Sequence, residues 1–324
     1  MDRRQSLPTW LVILPVLLLG AFPATAERQL PITSTNEQGS PALFKVSDDD
    51  SHFFLFGTAH ILPPNLRWHR NYVISAFDSS TVLVLENDGR ALSREEVQVE
   101  LRRNMFPQGL NLRHKLDPTT RSRLEAVARN YRLNPRGLDR FRPSFAAMML
   151  SMLVARQQGF YEEHGVEAVL VQWAARRAID QEGLEDISAT TDAIGDFDEP
   201  TQLEMLHATL EEIENGDQGR TLDSMMRAWY FGDLATLEAI TINEFEGVDP
   251  AISEAMLDNR NIAWLGPLHE YLDNDTVAFV AVGAAHLVGV NSLPNLLEDD
   301  GYVVERIDPQ GETHASRQAI DEGS

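Results

Sequence analysis

The chain has 324 residues, contains no cysteine and carries a formal net charge of −23 at pH 7. Without cysteine, the protein cannot use a thiol nucleophile, Cys-ligated zinc, an iron–sulfur cluster or a disulfide. The balance of 27 basic against 50 acidic residues disfavours binding to nucleic acid or anionic lipid. The apolar fraction of 43% is typical of a globular protein with a sizeable core.

The first 26 residues have the pattern of a secretory signal peptide. Two arginines precede a short apolar run at 10–22, and Ala24-Thr25-Ala26 has the form of an A-x-A cleavage site. The run is short for a membrane span and contains Pro15, although an uncleaved N-terminal anchor is the alternative. A lipoprotein is excluded because there is no cysteine to acylate. The pattern predicts export to a periplasm or secretion, with no stable membrane span after the signal is removed.

Strands are predicted close to both ends of the remaining chain. Residues 42–46 and 52–56 predict a hairpin, residues 81–86 a buried strand that ends in Glu86, and residues 277–282 and 301–307 two further strands. The region between about 93 and 260 is mostly helical, with a short strand expected at 184–187. The predicted helices after the first hairpin are 66–77, 93–104, 117–131, 143–158, 164–179, 199–214, 218–231, 233–244 and 293–297.

This layout predicts an α/β fold with a mixed central sheet built from N- and C-terminal strands, flanked by helices. We expect one domain at 41–307 with a helical insert at about 93–260. A flexible segment at 27–40 precedes the domain, and a flexible tail at 308–324 follows it. The two ends of the chain must meet in one sheet for this arrangement to form.

A strand followed by Gly-x-x-His occurs twice in the sequence. The first copy is Gly57-Thr58-Ala59-His60, and the second is Gly283-Ala284-Ala285-His286. In open α/β sheets, ligands bind beyond the carboxyl ends of the strands, where both histidines and Glu86 are expected. A lone histidine after a strand is commonly a loop residue with a satisfied hydrogen bond. The repetition strengthens the alternative of a site for a divalent metal, but the pattern alone does not make it the leading interpretation.

Arg260 and Asn261 are neighbours late in the helical region. They could clamp a substrate carbonyl or carboxylate, or orient Glu86. Pattern alone favours an exposed helix surface for this segment.

Motifs along most of the chain together resemble the TraB/GumN family, which includes the animal Tiki proteases. Any one of them alone is weak, but the two Gly-x-x-His motifs with Glu86 and the Arg-Asn pair are fairly specific together. The resemblance runs in the family's order from about 40 to 307. It rests on Leu55–His60, Val84-Leu85-Glu86, Gly165-Val166-Glu167, Trp229 with Gly232-Asp233, Arg260-Asn261, Gly283–Gly289 with Ser292, Leu296-Leu297 and Gly301–Val304.

The resemblance implies a mixed-sheet core related in shape to erythromycin esterases and ChaN-like haem-binding proteins. It also implies a metal-dependent hydrolase, which we expect to be a peptidase acting on a peptide or protein. His60 and His286 would bind a divalent metal (Mn, Co, Zn or Fe), and Glu86 would complete the ligand set or act as base. Arg260 would stabilise an oxyanion, and Asn261 would orient substrate or a ligand. The family often has Gly-x-Asp where this chain has Gly165-Val166-Glu167, so Glu167 is a possible additional ligand or base.

An alternative function places a bound ligand at the same candidate site and involves no catalysis. A periplasmic binding protein of this fold would hold haem, iron or another ligand, with a histidine on the haem iron. No methionine or cysteine axial-ligand motif accompanies the histidines. The oligomeric state is not indicated by the sequence.

Overall fold

The computed structural model of the chain describes residues 38–88, 94–186, 188–189, 195–245, 249–274, 276–310 and 313–315. The predicted signal peptide at 1–26 and all but the end of the segment at 27–40 lie outside the described residues. Among the helices within these ranges, none is both long and apolar enough to cross a membrane.

Seven strands form one mixed sheet, in the order β4-β3-β5-β2-β1-β6-β7. Strands β4, β3, β5 and β2 are mutually parallel, whereas β1, β6 and β7 add as antiparallel neighbours. The C-terminal strand β5 therefore lies between β3 and β2 from the N-terminal part, so strands from both ends of the chain share one sheet, as predicted. The strands are β1 Leu43–Ser47, β2 His52–Thr58, β3 Val82–Leu85, β4 Asp180–Gly183, β5 Ala278–Gly283, β6 Val303–Ile307 and β7 Thr313–Ala315.

Both faces of the central strands are buried, which explains their continuous apolar sequences. Along β2, Phe54 and Phe56 pack on one side of the sheet, whereas Phe53 and Leu55 pack on the other. The first side faces the large helical region, where nearly every residue of the helix at 143–157 is buried. The second side is covered by the helices at 259–272 and 293–299.

Helices occupy most of the chain between β3 and β5, as predicted. Several begin with an aspartate cap followed closely by proline, an arrangement that satisfies the first free backbone N–H groups. The helices are α1 Asn71–Ser79, α2 Arg94–Arg103, α3 Leu112–Lys115, α4 Pro118–Asn130, α5 Pro135–Leu138, α6 Pro143–Gln157, α7 Val166–Arg177, α8 Glu199–Asn215, α9 Asp217–Phe231, α10 Leu234–Phe245, α11 Pro250–Ser253, α12 Asn259–Leu272 and α13 Leu293–Asp299.

Several segments differ from the sequence predictions. Helix α12 continues to Leu272, beyond the predicted end of the helical region at about 260, and α1 begins at Asn71 rather than at 66. The short strand expected at 184–187 lies earlier, at β4, because this edge strand pairs only with β3 and has the polar sequence Asp-Gln-Glu-Gly. Strand β7 lies within the predicted flexible tail at 308–324 and pairs with β6. The residues that follow β7 lie outside the described residues.

Candidate functional site

The carboxyl ends of β2, β3 and β5 meet at one edge of the sheet. Thr58 of β2 pairs with Gly283 of β5, and Leu85 of β3 pairs with Ala281. Because the three strands are parallel and adjacent, the residues that follow them converge. The structure thus brings His60, Glu86 and His286 together although they are far apart in the sequence.

Glu86 lies between the two histidines. Its Oε1 atom is 3.8 Å from the Nε2 atom of His60 and 3.8 Å from the Nε2 atom of His286. The same oxygen accepts a 2.7 Å hydrogen bond from the backbone N–H of Gly283. The side chains of all three residues are at most 7% exposed, so the cluster is shielded from water.

The glycines of the two motifs allow neighbouring side chains to approach the backbone closely. They are not needed for an unusual backbone conformation. Gly283 has a φ of −51°, which any residue can adopt. A Cβ atom there would lie only 3.0 Å from His60 Nε2 and 3.1 Å from Glu86 Oε1. At Gly57, a Cβ atom would collide with the side chain of Leu287 at 2.5 Å. Glycine at these two positions therefore meets a packing requirement, because a Cβ atom at either one would come too close to a neighbouring side chain.

Asn261 fixes the tautomer and the orientation of His286. The amide nitrogen of Asn261 donates to the carbonyl of Asn291 at 2.8 Å, which turns its Oδ1 towards His286 Nδ1 at 2.6 Å. His286 Nδ1 must then donate, and Nε2 is left with its lone pair facing Glu86. Burial lowers the pKa of His286 to about 3, with Glu86 opposing this shift, so the imidazole is neutral at pH 7.

Glu167 contacts His60 from the opposite side to Glu86. Its Oε1 atom lies 2.6 Å from His60 Nδ1, close enough for an ion pair but not aligned as a hydrogen bond. The hydroxyl of Thr58 donates to the same carboxylate oxygen and holds it in place. Although burial lowers the pKa of His60, the Glu167 carboxylate outweighs it and the pKa is raised above its ordinary value.

Arg260 compensates the buried charge of Glu86. Its Nη2 atom donates to Glu86 Oε2 at 2.5 Å, and its Nη1 atom lies 3.3 Å from His286 Nε2. Burial favours the neutral carboxyl, but the Arg260 guanidinium, with smaller contributions from the histidines, holds the pKa of Glu86 well below its usual range. Arg260 and Asn261 are 8% and 2% exposed, so the alternative of an exposed helix surface is excluded for both.

Glu185 and Trp264 belong to this cluster although the sequence analysis did not assign them a role. Glu185 accepts hydrogen bonds from Arg260 Nη2 at 2.7 Å and Nε at 3.1 Å, and another from the Trp264 indole at 3.1 Å. The Trp264 ring lies beneath the guanidinium and against His286. Glu185 follows β4 as Glu86 follows the parallel strand β3, but the polar sequence of β4 has no apolar pattern from which this shared position could be predicted.

These residues can be tested against the divalent metal that the family resemblance implies. Metal–nitrogen and metal–oxygen bonds of about 2.0–2.2 Å place neighbouring ligand atoms about 3–4 Å apart, a range that includes both 3.8 Å separations. At each histidine, an oxygen atom of Glu167 or Asn261 lies 2.6 Å from Nδ1. Metal-binding histidines usually have such a neighbour at the nitrogen that does not bind the metal. The donor atoms are therefore of a kind that binds a divalent cation, and the two separations from Glu86 are of a suitable length.

The side chains of His60, Glu86 and His286 do not surround a position that a metal ion could occupy. In the part of the chain that the structure describes, no group of three or more His, Asp or Glu side chains is found that could hold a metal ion. In addition, Arg260 Nη1 lies 3.3 Å from His286 Nε2, the nitrogen atom that a metal would use. The guanidinium would have to withdraw from Nε2 before the histidines and Glu86 could share an ion.

The fold and site define a class of α/β protein in which two Gly-x-x-His motifs meet a strand-end glutamate. The chain belongs to the TraB/PrgY/gumN family, whose pattern it matches over residues 42–306. It is similar to the uncharacterized protein YbaP of Escherichia coli (strain K12), with 23% identity over 261 residues, covering 79% of this chain and 92% of YbaP. No solved structure matches the chain.

Proposed function

We propose that the chain is a metal-dependent hydrolase that cleaves peptide bonds. The observation that carries the proposal is the arrangement around Glu86, where two buried histidines face one carboxylate with their Nε2 atoms. Each histidine is oriented from behind by an oxygen of Glu167 or Asn261. The proposal agrees with the activity that the family resemblance implies.

His60, His286 and Glu86 would hold a divalent cation such as Mn²⁺, Co²⁺, Zn²⁺ or Fe²⁺. The cation, when bound, supplies Lewis acidity towards a carbonyl group and lowers the pKa of water. Asn261 keeps Nε2 of His286 unprotonated, which is the form that can bind a cation. The strongly depressed pKa of Glu86 favours a role as ligand over a role as base, because such a carboxylate is a poor proton acceptor.

Glu167 and Arg260 have separate roles in this proposal. Glu167 contacts the nitrogen of His60 that faces away from Glu86, so it acts as a positioning residue rather than as an additional ligand. Arg260 holds Glu86 in its ionised form and is a buried cation beside the site. After withdrawing from His286 Nε2, the guanidinium would stabilise the negative charge that develops on a carbonyl oxygen during hydrolysis.

The proposal is tested by a cleavage screen of the purified protein, loaded in turn with Mn²⁺, Co²⁺, Zn²⁺ and Fe²⁺. The substrates are fluorogenic peptide mixtures and a denatured protein. We expect cleavage that stops with EDTA and falls at least 100-fold in His60→Ala and in Glu86→Gln. His269→Ala is the matched control, because His269 is part-exposed on α12 and pairs with Asp300 away from the site.

Cleavage that survives both EDTA and His60→Ala would show that the proposal is wrong. A haem titration distinguishes the proposed hydrolase from the alternative, a binding protein that does not catalyse a reaction. A Soret band that disappears in His60→Ala, in a protein that cleaves no peptide with any metal, would establish that alternative.

A further inference from the structure

An apolar pocket opens next to His60, with about 460 Å³ of empty volume that is partly continuous with solvent. One wall is the chain from Thr58 to Ile61 after β2, and another is Ala284-Ala285 of the second Gly-x-x-His motif. The remaining surface comes from α9 and α10. It consists of Leu222, Met225, Met226, Trp229 and Leu237.

The pocket shares its walls with the candidate site. His60 lies in both, and the segments that form two of the walls are those that position the two histidines. A group seated in the pocket is therefore next to any bond held at the Glu86 cluster.

The residues that line the pocket disfavour the binding of a charged ligand group. No Asp, Glu, Lys or Arg side chain is among the described residues that line the pocket. Thr58 and His60 are the polar members of the lining, and both are already engaged by Glu167. A charged group entering the pocket would lose its water shell without gaining a partner, which is unfavourable.

The pocket has one fixed side and one adaptable side. The Trp229 indole donates to the carbonyl of Gly57 at 2.8 Å and thereby ties α9 to the end of β2. Met225 and Met226 lie on the same helix, and unbranched methionines adjust to apolar groups of different shape. The sequence positions 222, 225, 226 and 229 recur at helical spacing, which places them on one face of α9.

We infer that this pocket binds an apolar side chain of the peptide substrate, of the size of Leu, Met or Phe, at a position adjoining the bond that is cleaved. The inference rests on the proposed hydrolase function, and it specifies the substrate class of that site. The apolar lining sets this class of side chain, because the empty volume includes space that is open to solvent. The expected discrimination against Gly, Asp or Lys at this position is at least tenfold, since a single methylene in an apolar pocket already gives about 10–200-fold.

The first test measures binding alone, so that it does not depend on turnover. Blocked pentapeptides, acetyl-Gly-Gly-X-Gly-Gly-amide, are titrated in EDTA with X as Leu, Met, Phe, Gly, Asp or Lys, and dissociation constants are measured by ligand-observed NMR. We expect the three apolar peptides to bind at least tenfold more tightly than the others. Equal affinity for all peptides, including no measurable binding of any, would overturn the inference.

Variants connect the selectivity to the pocket. Met225→Lys places a cation in the lining and should reverse the order, with Asp preferred over Leu by at least tenfold. Ile242→Lys is the matched control, because Ile242 is 57% exposed on α10 and lies outside the pocket. If Met225→Lys does not fold, Met225→Ala enlarges the pocket and should shift preference from Leu towards Phe. Unchanged selectivity in the folded pocket variant would overturn the inference.

A parallel cleavage assay separates this inference from the proposed function. Selective binding without hydrolysis under any metal would support the pocket while contradicting the hydrolase proposal. Metal-dependent hydrolysis that is indifferent to X would support the hydrolase proposal and overturn the pocket assignment.

Discussion

The charge of Glu86 depends on a single guanidinium. Arg260 donates to Glu86 and to Glu185, and it is itself buried against Trp264. Removing one partner of a buried ion pair leaves an uncompensated charge, which is far more destabilising than losing the attraction alone. The network is therefore a point at which a single substitution has a large effect on stability.

Arg260→Leu should lower the free energy of unfolding by about 3–5 kcal/mol, measured by urea denaturation in EDTA. Adding Glu86→Gln to Arg260→Leu should recover part of this loss, because the buried carboxylate is then absent. Arg129→Leu is the control, since Arg129 is 65% exposed and its pair with Glu125 should contribute less than about 1 kcal/mol. Equal effects at the two arginines would contradict the assigned role of Arg260.

Asn261→Leu should weaken divalent metal binding by about 10–100-fold while leaving the fold intact. The substitution removes the oxygen that holds His286 in the tautomer whose Nε2 lone pair faces Glu86. Metal affinity is measured by competition with a chelating dye. Asn259→Leu, at an exposed position on the same helix, should leave the affinity unchanged. A loss of affinity in both variants would indicate a general effect on α12.

At the residue scale, the site residues that follow an apolar strand or belong to a repeated motif could be predicted from the sequence. The residues that join the site only through tertiary packing could not. His60, Glu86 and His286 follow apolar runs, so their position at a sheet edge could be inferred. Glu185 follows a polar edge strand that has no apolar pattern. The partner of each histidine at Nδ1 is also a tertiary contact, which spacing alone does not encode.

At the scale of single elements, Asp233 connects the end of α9 to the start of α10. Its carboxylate accepts hydrogen bonds from the backbone N–H of Thr236 at 3.0 Å and from the Thr236 hydroxyl at 2.6 Å. These bonds, the hydroxyl first, lower the pKa of Asp233. The cap fixes the beginning of the helix that carries Leu237 into the apolar pocket.

Asp233→Ala should lower the free energy of unfolding by about 1 kcal/mol at pH 7. Because the pKa of Asp233 is lower in the folded chain, its ionised cap stabilises the fold above its ordinary pKa of 3.8. That contribution is lost as the pH falls through the folded value. The stability difference between wild type and Asp233→Ala should therefore shrink on acidification, as followed by urea denaturation from pH 7 to pH 3. A difference that grows on acidification would contradict the cap.

At the scale of the whole molecule, the sheet order explains why the two motifs are so far apart in sequence. Strand β5 must insert between β2 and β3 before the three strand ends can meet. The apolar runs at both ends of the chain made the α/β class and the helical middle predictable. The position of β5 within the sheet was not predictable. Buried parallel strands have similar sequences, so several strand orders would be compatible with them.

Divalent metal content tests the central claim most directly. The purified protein is dialysed against trace Mn²⁺, Co²⁺, Zn²⁺ and Fe²⁺ and analysed for elements beside His60→Ala, His286→Ala and the control His269→Ala. Our account predicts about one metal ion per chain in the wild type and in His269→Ala, and loss of that ion in both site variants. A wild-type protein without metal, or site variants that retain it, would contradict the account.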